Sequence, residues 1–140
     1  MQYISNKTLV TNLKVLVESI NSYNGKWFEE RSTKVGDVIE YDPWSAPITS
    51  EAMKFLYDNN LIVDFDWGSW NEGREFFKNN NPNKYDSIDR ETVLKLLTAV
   101  ARNDRFCDGA WAGLFENGTA QKLFQRLLEI EGLQLNTNNL

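Results

Sequence analysis

The stretch Asp89-Arg90-Glu91-Thr92-Val93-Leu94-Lys95-Leu96-Leu97-Thr98-Ala99-Val100-Ala101-Arg102 decides the fold. Val93, Leu96, Leu97 and Val100 recur at i, i+3, i+4 and i+7, the stripe that one helix face shows at 3.6 residues per turn. Glu91 stands in the first turn and Arg102 in the last, each at the end of the helix dipole that favours its charge. The pattern continues toward the C-terminus. Asp108 reads as the cap of a short helix through Glu116, stopped by Asn117-Gly118. Thr119 reads as the cap of a helix through Glu131, with Leu123, Leu127 and Ile130 inward and Gly132-Leu133 as a Schellman-type end. The small residues Gly109, Ala110, Ala112 and Gly113 suggest close approach of a neighbouring helix, with a gap for a ligand as the alternative.

Toward the N-terminus, Leu9, Leu13, Leu16, Val17 and Ile20 form one face of a helix from about Asn6 to Ser22. Ser5 or Asn6 is its expected cap and Asn24-Gly25 its expected left-handed stop. A second helix begins at Thr49 or Ser50, turns Ala52, Phe55 and Leu56 inward and ends at Asn59-Asn60; a short one spans about Trp70–Phe77. Asn79-Asn80-Asn81-Pro82-Asn83 is a loop, because no helix continues through Asn-Pro. Residues 26–48 are the least regular. Val38-Ile39-Glu40-Tyr41 suits a short strand closed off by Pro43 and Pro47, and the rest, with Trp27, Phe28 and Trp44, suits a long loop pinned by aromatics. The expected fold is mainly α: a single compact domain over residues 1–135 of five or six helices with at most a minor β element, and a frayed tail over residues 136–140.

Composition narrows the function classes. Fifteen basic against 20 acidic residues give a net charge of −5, which argues against duplex nucleic acid as a partner. There is no histidine and one cysteine, so Ser-His-Asp and Cys-His catalysis and histidine-rich zinc sites are excluded. Nothing in the sequence calls for a cofactor or a metal. No apolar run reaches the roughly 18 residues that span a bilayer. Met1-Gln2-Tyr3-Ile4-Ser5-Asn6 lacks the basic start and apolar stretch of a secretion signal, and a lone cysteine fits a cytoplasmic protein.

The segment Phe65-Asp66-Trp67-Gly68-Ser69-Trp70-Asn71-Glu72-Gly73, followed by Leu96 through Gly109 and by Glu116-Asn117-Gly118, resembles a bacterial family of small proteins known only as a domain of unknown function. The resemblance covers about residues 50–130. It implies a small, mainly helical, cytosolic bacterial protein and supplies no reaction and no catalytic residues.

The Trp-acidic segment admits three readings. As a calcium loop, Asp64, Asp66, Gly68, Trp70, Glu72 and Glu75 take positions 1, 3, 5, 7, 9 and 12, but position 5 lacks a side-chain oxygen and position 6 is Ser69 where the turn needs glycine. As a helix junction, Asp66 caps while Trp67 and Trp70 pack inward. As a binding surface, the indoles and carboxylates face a ligand. Arg102 and Arg105 could clamp a phosphate or carboxylate through their paired donors, or pair with carboxylates of the fold itself. Cys107 reads as a small buried core residue before a nucleophile, since no base adjoins it. Gly113–Thr119 copies the glycine spacing of a phosphate loop without its lysine. The two helices after Asp108 have helix-turn-helix proportions, with Gln121, Lys122, Gln125 and Arg126 on the outward face.

Two functions follow as expectations. The first is a non-enzymatic interaction or regulatory module, in which the aromatic segment 26–48 and the Trp cluster meet a protein partner. The second is a small-ligand site or enzyme. The candidate ligand- or partner-binding residues are Asp66, Trp67, Trp70, Glu72, Arg105 and Asp108.

Overall fold

Asp89 lies extended ahead of a helix over Arg90–Asn103, and its carboxylate accepts the Thr92 amide at 2.8 Å. That is N-cap geometry, and Glu91 and Arg102 stand in the first and last turns as the sequence predicts. In the computed structural model, which describes residues 6–138, six helices follow in order: α1 (Lys7–Ser22), α2 (Pro47–Asp58), α3 (Asn71–Lys78), α4 (Arg90–Asn103), α5 (Ala110–Glu116) and α6 (Thr119–Asn138). Four short strands lie between α1 and α2: β1 (Phe28–Glu29), β2 (Ser32–Val35), β3 (Val38–Tyr41) and β4 (Trp44–Ser45). The fold is mainly α with minor β.

Hydrogen bonds from Thr92 hold the Asp89 carboxyl below its usual range. A depressed folded value means that the contribution is present above the unfolded pKa of about 3.9 and fades as the pH falls through the folded one. Asp89→Ala is expected to cost about 1 kcal/mol at neutral pH, with the difference shrinking from about pH 4 downward; paired urea melts across that range would show it.

Packing follows the predicted stripes. Leu13 and Ile20 of α1, Leu56 of α2, Val93, Leu96 and Leu97 of α4, Phe115 of α5, and Leu123, Phe124 and Leu127 of α6 are fully buried. Helix α6 touches α1, α4 and α5 and forms the centre of the bundle, while α2 closes against α1 and α5. Two polar links tie this core. The Trp111 indole donates to the Thr49 carbonyl at 2.7 Å, joining α5 to α2. Arg90 pairs with the fully buried Glu131 at 2.7 Å, joining α4 to α6.

The caps and stops differ from the sequence expectation in instructive ways. Asn6 caps α1, accepting from the Thr8 and Leu9 amides; Ser5, the other candidate, lies outside the described residues. Helix α1 ends because Tyr23 turns extended, with its hydroxyl donating to the Lys26 carbonyl, and not through a left-handed Gly25. Pro47 occupies the first turn of α2, which therefore starts before Thr49, and Asn60 at φ 56° follows its end. Asp108 does not cap α5. Asp104 does so from across the connecting turn, accepting the Trp111 amide at 3.0 Å. Thr119 opens α6, and its amide donates to Asn117. Helix α6 passes through Gly132 without stopping and runs to Asn138; of the tail expected over 136–140, the last two residues lie outside the described residues.

The small face of α5 also has a different occupant. A Cβ on Gly109, which sits at φ 90°, would lie 2.9 Å from the Phe28 ring, so the close neighbour is an aromatic of β1 and not a helix. Around Gly113 the space is open.

Residues 27–46, expected to be mostly loop, form a two-stranded ribbon. Phe28 pairs with Ser45 and Glu29 with Trp44 at its base, and Ser32–Val35 pairs antiparallel with Val38–Tyr41 at its tip. A bond from Asp42 N to Arg31 O lies between the two stretches, and one from Ala46 N to Trp27 O closes the base. The tip turns through Gly36-Asp37 with only Gly36 at positive φ, as a two-residue hairpin with glycine first requires.

Candidate functional site

The Trp-acidic segment is held to α4 by the buried Leu61 and by the Val63 amide, which donates to the buried Thr98 hydroxyl at 3.1 Å. It then tightens into a 3-10 turn at Trp67–Ser69. Asp66 heads that turn but makes no side-chain cap bond and is exposed. The turn sends the two indoles to different neighbours. Trp70 lies edge-on to Phe65 at 5.3 Å and rests on Gly73, whose missing side chain leaves the room. The Trp70 indole N–H donates to Glu72 at 3.0 Å, so these two candidates satisfy each other. Trp67 instead faces Phe106, with ring centres 6.2 Å apart and planes 31° apart.

A cavity of about 310 Å³ opens beside Trp67, lined by Val63, Asp64, Phe65, Arg102, Arg105 and Phe106 as well. A second, of about 270 Å³, adjoins the same indole and is lined by Gly68, Arg74, Phe77, Ala99, Val100 and Asn103. The structure thus brings Trp67 and Arg105 together. Asp66, Glu72 and Asp108 line neither cavity, and no ion pair forms between Asp66 and Arg105. Among the described residues no three acidic or thiol side chains converge to hold a metal, so the calcium-loop arrangement is not formed. Phe106, at 79% exposure, was missed from sequence. Its signal is a lone aromatic inside the charged turn Arg102–Asp108, off any apolar stripe. Cys107, expected in the core, is exposed on the same turn.

On the outward face expected of α6, Lys122 and Gln125 are exposed while Gln121 and Arg126 are half-buried. Gln121, Lys122, Gln125 and Arg126 line a groove of about 310 Å³ against Asn21, Pro82, Tyr85 and Asp86. Arg126 donates to the Ile88 carbonyl at 3.1 Å. Lys84 and Lys122 each place an ammonium 5.3 Å from the Tyr85 ring. Burial, and then the charge of Lys122, lowers the Lys84 pKa.

Asp108 lies on another side of the molecule, near the ribbon. Partial burial, then the charges of Glu30 and Asp108, raise the Tyr41 phenol above its ordinary pKa. The ribbon is anchored at its base: Trp27 stacks on the buried Phe115 at 5.2 Å, Phe28 covers Gly109, and Arg31 lies 5.1 Å over Trp44. Beyond that base every residue of β2 and β3 is exposed. Val35, Val38, Ile39 and Tyr41 are 61%, 61%, 69% and 52% accessible. Strand pairing puts Ile39 and Tyr41 on one face with Ser32 and Lys34, and Val35 and Val38 on the other with Thr33 and Glu40.

No helix among the described residues is long and apolar enough to cross a membrane. No curated protein and no solved structure matches the chain. A family of unknown function (DUF6508) matches it over residues 6–132, which takes in the N-terminal helix and the ribbon that the resemblance over 50–130 left out. The chain belongs to this family of unknown function.

Proposed function

We propose that this protein is a non-enzymatic interaction module of the cytoplasm, and that it grips a protein partner with the β2–β3 hairpin. One observation carries the reading: four large apolar side chains of the hairpin are more than half exposed on a ribbon whose base is fixed into the core. Isolated exposed apolar residues are common on any surface, but a two-stranded hairpin has little stability of its own and gains by pairing. Its outer edges offer unpaired backbone N–H and C=O groups, so a partner strand can add to the ribbon while Ile39 and Tyr41 enter its surface. Burying each such side chain contributes roughly 1.5–3 kcal/mol, enough for Ile39 and Tyr41, which share one face, to dominate a contact. The candidate carboxylates Asp66, Glu72 and Asp108 line neither cavity beside Trp67, which favours this reading over an active site there.

The test compares tagged wild-type protein with Ile39→Lys in extract of the source cells. Ile39 touches solvent on most of its surface, so the substitution is expected to leave folding stability within about 0.5 kcal/mol. The protein retained by the wild type is expected to be lost from the variant. Equal recovery by both, with equal thermal midpoints, would contradict the hairpin as the grip.

A further inference from the structure

We infer that the cavity walled by Phe65, Trp67 and Phe106 binds a small planar ring bearing an anionic group, a carboxylate or a phosphate, independently of the hairpin. Trp67 and Phe106 form a tilted pair with centres 6.2 Å and planes 31° apart, within the ordinary range of an aromatic contact, and both line the cavity beside them. Phe106 is 79% exposed, so most of its ring surface is open to contact. An aromatic so exposed contributes little to the core, whereas a ring stacked on it would cover it.

The charge at the mouth selects the ligand further. Arg102 and Arg105 both line the cavity, against the single carboxylate of Asp64. Arg102 lies 5.6 Å over the Tyr57 ring, and among the described residues neither Arg105 nor Asp64 makes an ion pair. Asp104, the nearest other carboxylate in the chain, is held by the Trp111 amide and does not line the cavity. Two guanidiniums three residues apart at the end of a helix offer paired donors to a carboxylate or phosphate. Asp64 remains to accept from an N–H or hydroxyl on the ring. The volume of about 310 Å³ sits at the small end of ligand pockets, which sets the size at an aromatic acid or a mononucleotide.

The test is calorimetric titration with indole-3-acetate and adenosine 5′-monophosphate, each beside its uncharged counterpart, indole and adenosine. The protein is used as the wild type, as Arg105→Met and as Phe106→Ala; both substitutions are at exposed positions, and thermal midpoints confirm that they fold. At least one anionic compound is expected to bind the wild type with Kd below about 1 mM and about tenfold more tightly than its counterpart. Which of the two does so distinguishes a carboxylate from a phosphate ligand. Arg105→Met is expected to remove the preference for the anion, and Phe106→Ala to weaken charged and uncharged rings alike. Failure of both anions to bind at about 1 mM, or binding that neither substitution changes, would overturn the assignment.

Discussion

Phe115→Ala is expected to destabilise the protein by about 3–5 kcal/mol, the range for removing a buried phenyl ring from a packed core. Phe115 is fully buried where three elements meet, with Trp27 stacked on it at 5.2 Å, Trp111 edge-on at 5.5 Å and Phe124 at 6.4 Å. Large rigid neighbours collapse poorly into a void, so the cost should lie toward the upper part of that range. For a domain of this size the thermal midpoint should fall by about 10 °C or more. The loss also loosens the seat of Trp27, the residue ahead of β1, so trypsin should cut at Arg31 and Lys34 sooner than in the wild type. A loss below about 1 kcal/mol would mean that this aromatic junction is not the keystone of the core.

Arg90→Met is expected to cost about 3–5 kcal/mol, because it strips a guanidinium from a carboxylate that has no exposure to water. The Arg90 Nε lies 2.7 Å from Glu131 and joins α4 to α6 across 41 residues of sequence. The double variant Arg90→Met with Glu131→Leu should recover most of the loss, since well-packed apolar residues replace a buried pair at little net cost. Urea melts of the wild type, both single variants and the double form a complete cycle. A double variant as unstable as Arg90→Met alone would show that the two residues do not act as a pair.

The helices were legible because their apolar residues repeat at one period and their ends carry recognisable caps. Asn6 and the Asn117-Gly118 joint act as the sequence predicts. Of the ribbon only the strand Val38–Tyr41 was legible; its pairing with Ser32–Val35 was not, because the tip buries neither face and no alternation of apolar and polar residues marks it. The signal was in the turn instead: Val35-Gly36-Asp37-Val38 places a two-residue glycine turn between β-branched residues. Asp108 was misjudged as a cap because it stands next to α5 in sequence, whereas the turn through residues 104–109 folds Asp104 back over the first amides. The same turn carries Cys107 and Phe106 to the surface. The burial of Glu131 could not be read from its neighbours, since its partner lies on another helix.

The candidate site shows the same limit. Asp66, Trp67, Trp70 and Glu72 are adjacent in sequence, but a single 3-10 turn sends Trp70 and Glu72 to each other and Trp67 toward Arg105 and Phe106. Sequence proximity identified the segment; only the turn decides which side chains share a cavity.

The hairpin as the gripping element is tested most directly by placing a photo-crosslinking amino acid at Ile39 and, in a separate protein, at Val15. Val15 is an apolar residue of α1 that is 58% exposed, comparable with the 69% of Ile39, and lies outside the ribbon. Illumination in the source cells is expected to give a discrete adduct from position 39 and none from position 15. The same adduct from both positions, or none from position 39, would contradict a partner held by the hairpin.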